Sequence, residues 1–216
     1  MCGRYSFFSK DEVFEDRWQA KFELPINRHY NAAPSQKLPV ILNDNPKIIK
    51  AGQWGLIPQW MKNNPKGIIN ARAETITEKP SFRSVVKKQR CLVLADSFFE
   101  WNRKSNTKTP YRILLTDEKP FAFAGIWETY QTDTGLNIPT FSIITVPANE
   151  QISKIHDRMP VILQPNYEQL WIDDSAELNV ALETLKTLPD EQIKMYEVSS
   201  DVNSYKNESA NLIQPI

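Results

Sequence analysis

The second residue of the chain, Cys2, is the position whose chemistry depends most on where it stands. Removal of Met1 would leave Cys2 with its α-amine and thiol on adjacent carbons. Both groups ordinarily titrate at about 8, so each is partly deprotonated near neutral pH. The amine can condense with an aldehyde to a Schiff base, and the thiol can then add to the imine carbon and close a five-membered thiazolidine. An internal cysteine cannot do this, because its nitrogen is locked in a peptide bond. A lone cysteine is otherwise a small packed hydrophobe, so the reading of Cys2 depends on its company.

Three segments supply that company. Asn70-Ala71-Arg72-Ala73-Glu74-Thr75, taken as a strand, turns Asn70, Arg72 and Glu74 to one face and the alanines to the other. Such a face suits a groove floor that hydrogen-bonds a ligand, or else a solvated side of a sheet. In Asp96-Ser97-Phe98-Phe99-Glu100-Trp101, Glu100 sits between aromatics. Desolvation there would suit it to proton transfer near neutral pH, the alternative being a surface glutamate at a strand end. His156-Asp157-Arg158-Met159-Pro160 holds one of only two histidines, the other being His29. A histidine beside a carboxylate is a ready general acid or base, whereas His29 reads as exposed or merely packed.

Other chemistries lack their signatures. There is no P-loop, no GxGxxG, no nucleophile elbow and no His/Cys cluster with metal-ligand spacing. Cys2 and Cys91 make neither a disulfide framework nor a zinc site, and Cys91 opens an apolar run that reads as a buried strand. No metal and no cofactor is expected. The absence of an 18-residue apolar run or a signal peptide points away from the membrane and toward a soluble, cytoplasmic protein in a reducing compartment.

Net charge is zero over 216 residues, but it is unevenly spread. Residues 47–112 carry 14 basic and 4 acidic side chains, and residues 113–216 carry 6 basic and 16 acidic. A basic half against an acidic half suggests a polyanion-binding face, although Lys87-Lys88-Gln89-Arg90 also reads as a solvated helix end.

The elements that must position these residues are mostly strands. Ser9-Lys10-Asp11-Glu12 has the capping-box form and predicts a helix through Val13, Phe14 and Trp18. The proline-bearing stretch from Pro25 to Pro39 reads as a long ordered loop or irregular strand. Pro39–Leu42 and Lys47–Ala51 flank Asn43-Asp44-Asn45-Pro46 as a hairpin. Strands are expected at Ile68–Ala73, Cys91–Ala95, Phe98–Asn102, Tyr111–Leu115, Phe121–Glu128 and Phe141–Val146. Helices are expected at Ser81–Lys88, from Pro147 to Ile155, at Tyr167–Ile172 and at Ala176–Leu188. This defines an α+β fold, a single domain over residues 1–216 with a curved, mainly antiparallel, barrel-like sheet and peripheral helices.

Together the segments resemble the SRAP family, the SOS response-associated peptidase domain, also called abasic-site processing proteins. The resemblance is carried by Cys2-Gly3-Arg4-Tyr5, Tyr30-Asn31-Ala32-Ala33-Pro34, Trp54-Gly55-Leu56-Ile57-Pro58, Asn70 through Thr75, Phe98 through Trp101, Gly125-Ile126-Trp127-Glu128, Ile143-Ile144-Thr145 and His156 through Pro160. Val198-Ser199 and Val202-Asn203 extend it toward the C-terminus. It implies a partner, single-stranded DNA bearing abasic sites, whose ring-opened aldehyde is captured as a thiazolidine. Cys2 matches the nucleophile and Asn70 a group that positions it. Glu100 matches an acid/base for the Schiff-base steps, and His156 a second proton-transfer residue at the sugar. Arg4 and Arg72 match phosphate contacts, and Arg158 belongs with them on the DNA side. Trp54, Trp60 and Trp101 are candidate stacking or wedge surfaces, with core packing the other reading. The family usually has Pro, Gly and Tyr where this chain has Leu94, Ser97 and Phe99, which puts the turn before Glu100 in question. A monomer is expected, and nothing in the sequence reads out a replication partner.

Two other functions stay open on sequence grounds. An N-terminal cysteine whose own amine serves as base fits a thiol peptidase or amidohydrolase. A non-catalytic single-strand binder would make Cys2 incidental and give only salt-sensitive, reversible binding.

Overall fold

A computed structural model describes residues 2–61, 67–104 and 107–216 of the chain. The expected loss of Met1 lies outside the described residues.

Five strands close into a barrel. They are β4 (Lys37–Leu42), β5 (Ile48–Trp54), β7 (Arg90–Ala95), β10 (Phe121–Gln131) and β11 (Asn137–Pro147), which join as β11-β10-β7-β4-β5. A parallel pairing of Gln53 with Thr140 and Trp54 with Phe141 returns β5 to β11. Closure removes the sheet edges, and the small residues at Gly52 and Gly125 leave room inside. A Cβ on Gly52 would lie 2.9 Å from Val40 Cγ2. Three short strands extend the barrel: β2 (Lys21–Phe22) on β5, and β6 (Asn70–Arg72) and β12 (Arg158–Pro160) on β11.

β1 (Tyr5–Phe7), β3 (His29–Ala32), β8 (Ser97–Trp101), β9 (Pro110–Leu115) and β13 (Ile193–Glu197) make a second, antiparallel sheet in the order β13-β9-β8-β1-β3. The chain passes from barrel to sheet at Asp96, between β7 and β8. Its buried carboxylate accepts the Phe8 and Ser9 backbone N–H groups at 2.6 and 3.1 Å and also the Ser9 hydroxyl. Tyr5 of β1 reaches into the barrel, its ring 5.0 Å from Trp54 and 5.8 Å from Phe123. Each such fully buried aromatic contributes on the order of 1.5–3 kcal/mol. Phe99 lies instead in a separate cluster with Val198, Val202, Leu212 and Ile213.

Helices are peripheral: α1 (Asp11–Trp18), α2 (Val85–Lys88), α3 (Glu150–Ser153), α4 (Pro165–Ile172) and α5 (Leu178–Leu182). The fold is α+β and mainly antiparallel, as expected, with some local differences. The capping box does not form, because Ser9 turns to Asp96 and α1 starts without a side-chain cap. The helix expected over residues 176–188 is confined to Leu178–Leu182. Residues 193–197, in a third read as helical, pair with β9. The proline-rich stretch contains β3. Ser97, where the family usually has Gly, is accommodated: its hydroxyl is 2.6 Å from Ser6 Oγ and accepts from Arg112 Nε at 2.9 Å.

Candidate functional site

Four elements far apart in sequence bring the singled-out residues to the N-terminal strand. β6 runs parallel to β11, with Asn70 opposite Ile143 and Arg72 opposite Thr145. Ala71 is buried, Asn70 half-buried and Arg72 exposed, so the expected alternation holds for these three residues. It ends where the chain turns into a 3-10 helix, Ala73–Thr75, and Glu74 leaves the strand. Asn70 Nδ2 donates to the Cys2 carbonyl at 2.8 Å, pinning the N-terminal backbone to the barrel. Its Oδ1 is buried without a hydrogen-bond partner. Leaving an acceptor so costs about 1–3 kcal/mol, and makes it ready for a donor brought by a ligand or a new amine.

The Cys2 side chain is 0% exposed, with Sγ 3.8 Å from the Arg4 carbonyl. Burial, and after it the charge of Glu100, push the thiol well above its ordinary pKa. The thiol is therefore protonated at neutral pH.

Glu100 lies on β8, whose side chains alternate between two packing environments. Phe98 joins the main core and Phe99 the C-terminal cluster. Glu100 returns to the side of Phe98 and is buried rather than solvated at a strand end. Its charge acts on Cys2 and on His156, so the three share one electrostatic neighbourhood.

His156 follows α3 and is buried. Its Nδ1 lies 3.0 Å from the Arg158 backbone nitrogen, an N–H donor, and 3.2 Å from the Arg158 carbonyl oxygen. Asp157 Oδ1 is also 3.0 Å from Nδ1. Burial lowers the His156 pKa; Glu100 and Asp157 oppose that shift and Arg103 adds to it. The ring is neutral at pH 7. His29, by contrast, sits 3.1 Å from Glu208 at the edge of the second sheet.

The DNA-side candidates divide. Arg72 is exposed, and Trp60 is 62% exposed. Trp54 is 0% exposed, packed against Tyr5 in a tilted ring contact, with its indole N–H given to the Ile69 carbonyl at 3.0 Å. It is a core residue, and the base-stacking expectation for Trp54 is corrected. Trp101 is half-buried: its indole donates to Asn203 Oδ1 at 2.6 Å, and the Arg4 guanidinium lies 5.9 Å from its ring centroid. Arg4 Nη1 donates to Asn31 Oδ1 at 2.8 Å and to the Val202 carbonyl at 3.0 Å. Arg158 is nearly buried, forked onto Glu74, and donates to the Thr145 carbonyl at 2.6 Å.

Two supporting residues were not singled out from sequence. Asn31, fully buried, donates through Nδ2 to the carbonyls of Ser204 at 2.9 Å and Asn207 at 3.0 Å while accepting from Arg4. Thr145 lies between β6 and β12 and holds Arg158. The only signal for either was a polar residue inside a quoted motif.

A barrel whose flank holds Cys2 in one electrostatic neighbourhood with a buried carboxylate and a neutral histidine has a family behind it. The chain matches the SOS response associated peptidase (SRAP) family over residues 1–205 and belongs to that family. It is 43% identical to the abasic site processing protein YoaM of Bacillus subtilis (strain 168), over 99% of this chain and 97% of YoaM. It is 32% identical to the abasic site processing protein YedK of Escherichia coli (strain K12), over the whole of both chains. The fold superposes on a crystal structure of a Bacteroides thetaiotaomicron protein with a TM-score of 0.90, at 29% identity and covering 100% of each chain.

Proposed function

We propose that the protein captures abasic sites in single-stranded DNA as a thiazolidine on Cys2, after loss of Met1. The observation that carries the reading is the grouping of Cys2, pinned by Asn70, with buried Glu100 and neutral His156. The names of the relatives support the substrate.

The chemistry follows from the state of each group. An abasic sugar is mostly a closed hemiacetal, and opening it moves a proton from the C1′ hydroxyl to the ring oxygen. Neutral His156 is suited to that transfer. The free amine of Cys2 attacks the aldehyde, and loss of one water gives the imine. Asn70, whose amide nitrogen holds the Cys2 carbonyl, has in its buried, unpartnered Oδ1 an acceptor that can take an N–H from that amine. The thiol then adds to the imine carbon: a C–S bond forms, the C=N π bond breaks, and the thiol proton passes to nitrogen. Because the thiol rests protonated, this step needs a base, and Glu100, whose charge already acts on Cys2, serves as the relay. Closing the ring stores the aldehyde in a form that cannot undergo strand cleavage by elimination.

The test is an N-terminal extension that cells do not remove. Protein retaining residues before Cys2 should lose thiazolidine formation while keeping its fold by circular dichroism. Wild-type crosslinking by the extended protein would overturn the mechanism.

A further inference from the structure

Arg158 and Arg72 approach Thr145 from opposite edges of β11. β6 pairs Arg72 with Thr145 on one side, and β12 pairs Pro160 with Thr145 on the other. The Arg158 guanidinium is already held by the protein core. Its Nη2 donates to the Thr145 carbonyl at 2.6 Å and to Thr145 Oγ1 at 3.2 Å. Glu74 is therefore not needed to orient it. Yet Glu74 covers the same guanidinium with both carboxylate oxygens, Oε1 on Nη1 and Oε2 on Nη2 at 2.9 Å.

The two partners differ in freedom. The Glu74 side chain is 45% exposed against 11% for Arg158, and it stands on a single 3-10 turn beyond the end of β6. Arg158 first, and Arg72 by charge, hold the Glu74 carboxyl below its usual pKa, so it is anionic at neutral pH. A forked carboxylate on arginine has the geometry that a phosphate diester would take. Arg158 Nε–H is buried without an acceptor, so its donors are not all used by Glu74 and Thr145.

We propose that Glu74 is a place-holder for a DNA phosphate. In the free protein it neutralises Arg158, and a backbone phosphate entering beside Arg72 displaces it into solvent. The device lowers affinity for undamaged strands, leaving retention to the covalent step. This rests on the reading of the protein as a single-strand binder.

The test measures binding of an undamaged single-stranded oligonucleotide by fluorescence anisotropy, in a Cys2→Ala background so that no covalent bond contributes. Glu74→Gln should bind about two- to fivefold more tightly, the size expected from freeing a partly exposed ion pair. Glu74→Ser, which removes the carboxylate in a second way, should show the same gain. In an Arg158→Gln background the Glu74→Gln change should bring none. Weaker or unchanged binding by the folded Glu74 variants would overturn the proposal and make Glu74 a support for Arg158. A gain that persists without Arg158 would overturn it too, leaving only a general charge effect. Absence of binding by every protein, wild type included, would remove the single-strand reading and this inference with it.

Discussion

In the proposed capture the thiol closes the ring only on an imine the amine has already formed, and burial raises the Cys2 thiol pKa, so that second step calls for a base. The same reasoning assigns His156 a pH signature. Its pKa is lowered below 6.5, chiefly by burial, so as pH falls the ring stays neutral longer than a free histidine would. Single-turnover crosslinking of a natural, ring-closed abasic strand should be about 10²–10⁴-fold faster in wild type than in His156→Ala at pH 7. That ratio should stay level down to about pH 6.5, the unperturbed value, and shrink only below it. Taking the ratio removes the titration of the Cys2 amine, which both proteins share. A ratio that grows as pH falls would mean the protonated ring is the active form. At this scale the sequence was legible in residue type and illegible in exposure. Trp54 and Trp60 both stand near Pro58, yet one fills the barrel against Tyr5 and the other faces solvent. Only a long-range contact separates them. Glu100 could be read as buried or exposed for the same reason, and β8's packing on both faces decides it.

Among the elements, the barrel wall has little tolerance where β7 meets β10. A Cβ on Gly125 would lie 2.7 Å from Cys91 Sγ, 2.9 Å from Val93 Cγ2 and 3.3 Å from the Ser142 carbonyl. Gly125→Ala should cost about 1–3 kcal/mol by overpacking, lowering Tm by roughly 2–4 °C for each kcal/mol in a chain of this size. Cys91→Ala removes the nearest atom, so the double variant should be less destabilised than the sum of the singles. Thermal unfolding of the four proteins measures this, and strict additivity would show that the wall yields elsewhere. The β4–β5 hairpin was readable because Asn43-Asp44-Asn45-Pro46 announces its turn. β13 was not, since Ile193-Lys194-Met195-Tyr196-Glu197 is short and becomes a strand only by pairing with β9. The apolar spacing at Leu178, Ala181, Leu182 and Leu185 is helical, but the helix stops at Leu182. Pro189 then disfavours helix in the residue before it. Barrel closure, from Trp54 to Phe141, carries no local mark at all.

For the molecule as a whole, zero net charge means that affinity for DNA must come from local placement of cations. Arg72, exposed on β6 beside Asn70, is the clearest of them. Arg72→Ala should flatten the dependence of log affinity on log salt by about 0.7 for a single strand, and an unchanged slope would place the phosphate path elsewhere. The central claim is that the N-terminal aminothiol of Cys2 bonds to an abasic aldehyde. It is met most directly by intact mass spectrometry of the purified protein after incubation with an abasic single-stranded oligonucleotide. The expected result is protein lacking Met1, joined one to one with the strand at the summed mass less one water. That adduct should survive heating without reduction and map to residue 2 on digestion. Cys2→Ala should yield only a reversible imine, seen after borohydride and gaining two hydrogens. A heat-stable adduct in Cys2→Ala, an adduct mapping to another residue, or protein that keeps Met1 and still crosslinks would each contradict the claim.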